Sequence, residues 1–438
     1  MRYLLLLITM MVISLPAIAQ SGLSLSANSF LLHSDLYNPA LFVRQGTHIG
    51  FSLHADLYHS SLAYGKFTTK RNGQRILMIS SLLNDLEDQN EFSANGSWDI
   101  FSIRFVGDQW KIGLDHGIRM NSTVEYPREL VELAVNGNEP FIGKTISFGP
   151  DFEYSLYHTT GIVLTYFKEN WSGGLRLKWL NGLKYLHSKR SAASLHTDTS
   201  FYATTIFTDY LVQNSNVIQD KEDQLLPYSL NTYSSYPFFS KNTGWSIDAG
   251  IAGKFKNHWH YALSISDLGF IRWKNNVKIL SSNKELYYDG EQINDVIQIS
   301  RISIQGAVDT LTNILHLEED QGAFTNHLAG HFRSMVRFTK IKNWSFTLHG
   351  LYSQMLIHPL VVGLQASHSF GGHLNLGINS SNHYKRFNLG FHLIYSAPRI
   401  DVFLFYDNVM QGLNPYQSNM THLRIGATIH WDKPPPDV

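Results

Sequence analysis

Residues 423–431, LRIGATIHW, decide the fold of this chain. Leu423, Ile425, Ala427, Ile429 and Trp431 alternate here with arginine, glycine, threonine and histidine. Successive side chains of a β-strand point to opposite faces, so this stretch predicts a strand with one apolar and one polar face. A soluble sheet and a barrel wall between lipid and water would both give this pattern.

The same alternation recurs along most of the chain, and its details favour a barrel wall. The polar faces carry arginine, lysine, aspartate and histidine, which a hydrated lumen accepts, and aromatic residues gather at segment ends, where interfacial girdles would lie. We therefore predict an all-β, closed antiparallel transmembrane β-barrel of about 14 strands, with about 12 to 16 allowed. A multi-domain secreted β-sandwich is the alternative. The alternating segments are Ile49–Leu57, Phe101–Phe105, Trp110–Ile118, Leu175–Trp179, Trp245–Ile251 and, almost without a break, Trp344–Tyr406.

Composition excludes several classes of protein. The 438 residues contain 35 Lys and Arg against 35 Asp and Glu, so no basic surplus is available for a nucleic-acid partner. The chain has no cysteine, which excludes a disulfide scaffold, a thiolate metal site, a cysteine nucleophile and a lipoprotein anchor.

The N-terminus has the three parts of a secretion signal. Arg2 is the positive residue, Leu4–Leu15 is apolar, and Ala17-Ile18-Ala19 is a small-residue cleavage site. We predict a signal peptide at residues 1–19; a retained membrane anchor is the alternative. No later window approaches the roughly 20 apolar residues that a spanning helix needs. The predicted location is the cell outer membrane.

The mature chain divides into three parts. Residues 20–46 are predicted to form a hatch or a periplasmic leader, residues 47–431 the barrel, and residues 432–438 a free proline-rich tail. Helical spacing predicts short helices at Pro127–Asn136 and Asp309–Glu319. The polar stretches Asn214–Asn242 and Asn275–Gly322 are predicted to be long surface loops.

Several strings resemble known barrel families. Asn38-Pro39-Ala40-Leu41 resembles the "NPA" segment of the fatty-acid-transporter-like barrels, whose N-terminal stretch folds into the lumen as a hatch. Ser266–Trp273 (SDLGFIRW) and Tyr406-Asp407-Asn408 look like an uncharacterised outer-membrane family of Bacteroidota. The resemblance implies that Asn38, Pro39, Ala40 and Leu41 are the hatch motif. Barrels of this type often end on an aromatic residue, whereas in this chain residues 432–438 follow Trp431.

Candidate site residues lie on the polar faces. Arg176, Lys178, Arg333 and Arg337 are predicted to face the lumen, where they would line a selective pore or simply hydrate the interior. His327 and His331 have metal-site spacing only on a helix; in a strand they are about 13 Å apart. We predict no metal, no cofactor and no catalytic residues.

Three functions remain open. The first is transport of a small ligand, including a hydrophobic one, through a hatch-gated lumen. The second is an envelope or secretion-system barrel that binds protein partners. The third is a membrane-embedded hydrolase, disfavoured because the sequence has no GxSxG elbow. The predicted partners are outer-membrane lipid, a small hydrophobic ligand and envelope proteins, but no nucleic acid.

Overall fold

The strand Met420–Trp431 shows the alternation that its sequence predicts. In a computed structural model of the protein, Ile425 and Trp431 are 44% and 56% exposed, whereas Arg424 and His430 are 2% and 0% exposed. The signal peptide predicted at residues 1–19 and the tail predicted at residues 432–438 lie outside the residues that the structure describes. These are residues 23–63, 68–71, 74–77, 83–220, 228–230, 240–288, 318–353, 360–383, 386–409 and 419–431.

Fourteen strands form a closed antiparallel barrel, so the predicted fold is confirmed. Each strand pairs with the next along the chain, and the last closes on the first from Thr47↔Trp431 to Tyr58↔Met420. Closure leaves no wall strand with an unpaired edge, which a bilayer would penalise. The wall strands are β1 (Gly46–His59), β2 (Gln89–Val106), β3 (Trp110–Pro127), β4 (Asp151–Lys168), β5 (Trp171–Thr197), β6 (Thr243–Lys256), β7 (Trp259–Trp273), β8 (His331–Phe338), β9 (Trp344–Ser353), β10 (Leu360–Phe370), β11 (Leu374–His383), β12 (Arg386–Ala397), β13 (Ile400–Tyr406) and β14 (Met420–Trp431).

The wall is apolar outside and polar inside. On β5, Leu175 and Leu177 are 55% and 52% exposed, and Arg176 between them is 2% exposed. The same contrast recurs on β3, where Ile112 is 53% exposed and its neighbour Lys111 is fully buried. Such a surface places hydrocarbon against lipid and keeps ionised groups in the interior. No described helix is long and apolar enough to cross a membrane.

The two ends of the barrel differ. At the end where β14 finishes at Trp431, the strands are joined by connections of two to five residues, at 107–109, 169–170, 257–258, 339–343, 371–373 and 398–399. At the other end the connections between strands are mostly long, such as 60–88, 128–150 and 407–419. Outer-membrane barrels carry short turns on the periplasmic side and long loops outside the cell. We call these the short-turn end and the long-loop end.

The sheet of the wall continues beyond the long-loop end. Strand β5 has 27 residues, whereas a membrane crossing needs about 9–11. Its second half pairs with Thr204–Ser215, which in turn pairs with Val277–Tyr288, and Thr145–Ser147 lies on the other edge. We call these four strand segments, with the helix Arg128–Asn136, the platform. Its separate apolar core contains Phe141, Ile146, Phe148, Ala193, Leu195, Tyr210, Val212 and Leu280.

The platform corrects part of the loop prediction. Val277–Tyr288 is a 12-residue strand inside the stretch predicted as a loop from Asn275 to Gly322. It was missed because outside the bilayer neither face must be uniformly apolar, so the alternation is weak. The helix predicted at Pro127–Asn136 is confirmed as Arg128–Asn136. Most of the helix predicted at Asp309–Glu319 lies outside the described residues, and Glu318 and Glu319 belong to the strand Glu318–Asp320.

The wall is irregular where β7 meets two strands in turn. The first half of β7, Trp259–Ser266, pairs with β8, and its end, Phe270–Trp273, pairs with the short strand Phe324–His327. The break at residues 328–330 separates His327 from His331, so the single strand that the sequence predicted here is two. Asp267 lies opposite the break with φ 62°, a left-handed conformation that is unusual for a residue other than glycine. One extra residue on β7 shifts its register against β6 at Ile247/Ala249.

Candidate functional site

The chain preceding β1 lies inside the barrel at the short-turn end. Residues 23–45, which we call the N-terminal segment, contain the helical turn Leu23–Ser26 and the 3-10 helix Leu32–Leu36. Leu25 and Leu31 are 1% and 0% exposed and pack on Ile394, Phe403 and Phe405 of β12 and β13. Because its backbone is irregular, the segment needs surrounding protein at this depth, and the barrel supplies it.

Asp35 holds the segment to the opposite wall. Its carboxylate accepts hydrogen bonds from Arg104 at 2.6 and 2.7 Å, from Lys111 at 3.0 Å and from Arg176 at 3.0 Å. Asp35, Arg104 and Lys111 are each 0% exposed. Strands β2, β3 and β5 thus each contribute a cation to one carboxylate of the N-terminal segment.

A second carboxylate balances this cluster. Asp115 of β3 accepts from Arg104 at 2.7 Å and from Arg176 at 2.9 Å. Asp248 of β6 lies 3.5 Å from Arg176. Buried charges are tolerated only when they are paired and hydrogen-bonded, and these groups meet that condition together. Removing one member would leave the others buried without full compensation.

The motif Asn38–Leu41 is fixed by bonds to the inner wall. The Asn38 side-chain amide donates to the backbone carbonyl oxygens of Ile251 at 3.3 Å and Leu263 at 3.1 Å, and its Oδ1 accepts from the Ala40 N–H at 2.9 Å. The Pro39 carbonyl accepts from Lys111 Nζ and Thr165 Oγ1. The Ala40 carbonyl accepts from Ser172 Oγ of β5, so the motif forms a turn that bonds to five wall strands, β3 to β7.

Two glycines permit this close approach. A Cβ on Gly250 would lie 2.0 Å from Asn38 Oδ1, and one on Gly174 would lie 2.5 Å from the Pro39 backbone. Real Cβ atoms do not approach other atoms so closely, so neither position could carry a larger residue unless the motif moved away from the wall. The contact depends on tertiary structure, because neither glycine is marked by a turn or a positive φ.

Tyr37 links the segment to two arginines of the wall. The guanidinium carbon of Arg333 lies 4.9 Å from the centre of the Tyr37 ring, and that of Arg424 lies 5.3 Å from it. Arg424 also donates to the Tyr37 hydroxyl. Cations over an aromatic face are attracted by its quadrupole, so β8 and β14 both stabilise this ring.

A cavity of about 440 Å³ lies above the N-terminal segment. Leu36 and Tyr37 belong to its floor, and we call it the vestibule. Its lining continues toward the long-loop end through the ends of several strands. The charged and histidine side chains that line it are His54, Asp56, Glu91, Asp99, Asp115, His116, Arg119, Glu153, Arg176, Lys178, Asp248, Asp267, His327, His331, Arg333 and Arg424.

The four arginine and lysine residues singled out from the sequence all contact the interior. Arg176 bonds to Asp35 and Asp115, and Lys178 Nζ lies 2.6 Å from both Asp248 and Asp267. Arg333 donates to Ser266 Oγ at 2.7 Å, and Arg337 donates to the Ala27 carbonyl at 3.4 Å. Arg176 and Lys178 are thus neutralised by carboxylates instead of facing an open pore.

Sequence reasoning missed Asp35, Tyr37 and Arg104. A signal was available for Arg104, a single cation between the apolar residues Ile103 and Phe105 in an alternating stretch. No pattern marks Asp35 or Tyr37, because the N-terminal segment is irregular and its partners are 69 or more residues away. Within the described residues, no group of three or more histidine, aspartate or glutamate side chains is placed to hold a metal ion.

Comparison with known proteins gives a family. Residues 39–407 match the model of a family of unknown function, DUF5723. The chain belongs to this family. A comparison with the curated proteins gives no match. The resemblance to an uncharacterised barrel family thus agrees with the family match, while its placement in Bacteroidota stays a prediction.

Solved structures of outer-membrane barrels are distantly similar. The toluene transporter TbuX of Ralstonia pickettii has 10% identity and a TM-score of 0.37, covering 91% of this chain and 92% of that chain. The TodX monoaromatic hydrocarbon channel, as a deltaS2S3 mutant, has 10% identity and a TM-score of 0.43, covering 91% and 94%. The translocator domain of autotransporter NalP from Neisseria meningitidis has 8% identity and a TM-score of 0.27, covering 88% and 89%. At these scores the similarities carry no argument about function.

Proposed function

We propose that this DUF5723 protein is an outer-membrane barrel that admits a small solute to the vestibule and passes it on when the N-terminal segment moves. One observation carries the proposal: the vestibule ends on residues 23–45, which cross the lumen and are held there by Asp35 and the Asn38–Leu41 motif. In this arrangement the segment is the hatch, and its displacement is the step that opens the path.

The lining of the vestibule favours a polar solute. The sequence resemblance implied a small hydrophobic ligand, which would be held by apolar and aromatic side chains. The walls around the vestibule instead carry charged and hydrogen-bonding groups such as Asp56, Asp99, Arg119 and Asp267. We therefore propose a hydrophilic ligand and no catalytic role, because the charged side chains at the floor are bonded to one another.

A reversible lock tests the role of the segment. Ser172 Oγ donates to the Ala40 carbonyl at 2.8 Å, so the two residues are neighbours, and we choose them as the cysteine pair that is to link the Asn38–Leu41 motif to β5. The chain has no native cysteine, so no other thiol would compete. Full-length A40C/S172C protein is reconstituted in liposomes, and uptake of arabinose, lysine and glutamate is measured before and after reduction.

We expect no uptake from the oxidised protein and recovery on reduction, with both single-cysteine variants unaffected by reductant. A chain lacking residues 20–41 should be permanently open while still inserting. Equal uptake by oxidised and reduced protein would show that the segment does not gate. No uptake even after deletion of residues 20–41 would overturn the transport proposal as a whole.

A second candidate, binding of an envelope or cell-surface protein, is favoured by the platform. The tip between β5 and Thr204–Ser215 exposes Phe201 by 83% and Tyr202 by 65%. Asp198 Oδ1 orders this tip by accepting from the backbone N–H groups of Ser200 and Phe201 at 2.6 and 2.8 Å. Exposed aromatic residues on an ordered loop are common anchors of protein interfaces. A photo-crosslinker at Phe201 should give one defined adduct in intact cells, and its absence would count against this role.

A further inference from the structure

The cations of the vestibule are almost all neutralised inside the protein. Arg119 and Arg424 both bond to Asp99, at 2.6 and 2.7 Å. Lys178 bonds to Asp248 and Asp267, each at 2.6 Å. Arg176 is held by Asp35 and Asp115. Arg333 makes no ion pair with a described carboxylate, but it lies at the floor against the Tyr37 ring.

Three carboxylates of the vestibule have no such cation. Asp56 and Glu91 are 4% and 9% exposed, yet neither forms an ion pair with an arginine or lysine among the described residues. The Asp56 Oδ1 atom is buried and has no hydrogen-bond partner in this part of the chain. The third, Glu153, accepts a 3.4 Å hydrogen bond from the Asn326 amide and forms no ion pair within the part of the chain that the structure describes. The unneutralised charge of the vestibule is therefore mainly negative.

Asp56 and Glu91 lie on the neighbouring strands β1 and β2, near the long-loop end. Asp56 of β1 is paired with Asn95 of β2 and with His422 of β14, and Glu91 lies four residues before Asn95 on β2. His54, two residues before Asp56 on the same inward face, is 9% exposed, and its Nε2 atom has no hydrogen-bond partner among the described residues. An unpaired buried carboxylate is costly, and so is a buried nitrogen without a partner. A cationic donor between them would relieve both costs.

We infer that Asp56 and His54 bind one cationic group, an ammonium or guanidinium, of a small polar solute. Glu91, about 13 Å farther along the wall toward the long-loop end, binds a second cationic group of the same solute. The two carboxylates supply the charge complement, and a neutral His54 that carries its proton on Nδ1 would accept at Nε2 a hydrogen bond from the group that Asp56 binds. This inference rests on the proposed function, since it names the class of solute that the vestibule takes.

Calorimetry on the full-length protein in detergent tests the site. The probe is agmatine, which carries both an ammonium and a guanidinium group, with glutarate as an anionic compound of similar length and Mg²⁺ as a metal. We expect agmatine to bind and glutarate not to bind. Asp56→Asn and Glu91→Gln should each weaken agmatine at least about tenfold, as expected for loss of one charge-assisted contact worth about 1.5–3 kcal/mol. His54→Phe, which keeps a ring but removes the acceptor, should weaken it less.

The matched control is Asp209→Asn. Asp209 is a platform carboxylate that pairs with Arg190 at 3.1 Å, outside the barrel, so agmatine binding should not change. Unchanged binding in the Asp56→Asn/Glu91→Gln double variant would overturn the site. Tighter binding of Mg²⁺ than of agmatine would also overturn it, in favour of a metal.

The two proposals fail separately. Agmatine binding without any solute uptake would remove the transport proposal and leave the site. Uptake without agmatine binding would remove the site and leave gating by the N-terminal segment intact.

Discussion

Replacing Asp35 with asparagine should release the N-terminal segment from the wall. Both carboxylate oxygens accept from cations: Oδ1 from Arg104 and Arg176, and Oδ2 from Arg104 and Lys111. Whichever way an asparagine side chain turns, its NH₂ group must face a cationic donor. Asparagine has nearly the volume of aspartate, so the substitution leaves no cavity whose cost would add to that of the lost ion pairs.

The expected size of the effect follows from burial. Asp35, Arg104 and Lys111 are 0% exposed, and breaking a buried ion pair by removing one partner costs about 3–5 kcal/mol. The wall strands hydrogen-bond to one another without the segment, so the barrel should stay folded while the segment undocks. If this whole free energy is lost from docking of the N-terminal segment, the undocked population should rise roughly 100- to 4,000-fold, because each 1.4 kcal/mol changes an equilibrium constant about tenfold.

Cysteine labelling measures that population. Ser34 is 0% exposed and lies next to Asp35, so the thiol of the Ser34→Cys variant should react with a maleimide only when the segment undocks. Its labelling rate should increase by the same factor in the Asp35→Asn background. Ser200→Cys, at the exposed platform tip, reports the reactivity of a thiol that needs no opening.

The comparison variant is Asp209→Asn, which removes an ion pair whose side chains are 28% and 49% exposed. Exposed pairs contribute about 0–1 kcal/mol, so labelling of the thiol introduced by Ser34→Cys should not change. Equal labelling rates in the Asp35→Asn and unsubstituted backgrounds would refute the reasoning that the Asp35 cluster holds the segment in place.

Three further outcomes are expected. Ile425→Arg, on the lipid face of β14, should lower the free energy of unfolding by about 2–4 kcal/mol, whereas Thr421→Arg, near the strand end, should lower it by about 0–1 kcal/mol. Urea unfolding in vesicles measures both, and equal costs would contradict the depths in the bilayer that we assign to the two residues. Gly250→Ala should accelerate maleimide labelling of the Ser34→Cys variant, because its Cβ would lie 2.0 Å from Asn38 Oδ1, whereas Gly96→Ala, with its nearest atom at 3.6 Å, should not; no difference between them would argue against close contact of the motif with β6. The backbone N–H groups of Phe201 and Ser200 hold the pKa of Asp198 below its usual range. Its contribution to the order of the tip is therefore present at neutral pH and is lost as pH falls through the lowered pKa. Hydrogen exchange of residues 198–203, corrected for intrinsic rates, should show this loss in the unsubstituted protein and fast exchange at every pH in Asp198→Ala.

The sequence alone determined the wall. The alternation in 423–431 is confirmed for the large side chains: Arg424 and His430 lie inside, and the outward ones are 39–56% exposed, namely Leu423, Ile425, Ile429 and Trp431. Ala427, on the outward side, is 9% exposed. This was readable because lipid imposes one requirement along the whole outer face of every spanning strand, and the period of two records it locally. The number of strands was predicted by counting the alternating segments, since a closed antiparallel barrel needs paired strands in an even number.

The tertiary structure decided which charges matter. Arg176 and Lys178 read as pore-lining cations, but the closed barrel brings Asp35, Asp115, Asp248 and Asp267 against them from three other strands and the N-terminal segment. Alternation gives the face on which a side chain lies; it does not give its neighbour across the lumen. Pairing across a lumen depends on the stagger of the strands and on where irregular backbone settles, and neither leaves a periodic trace in the sequence.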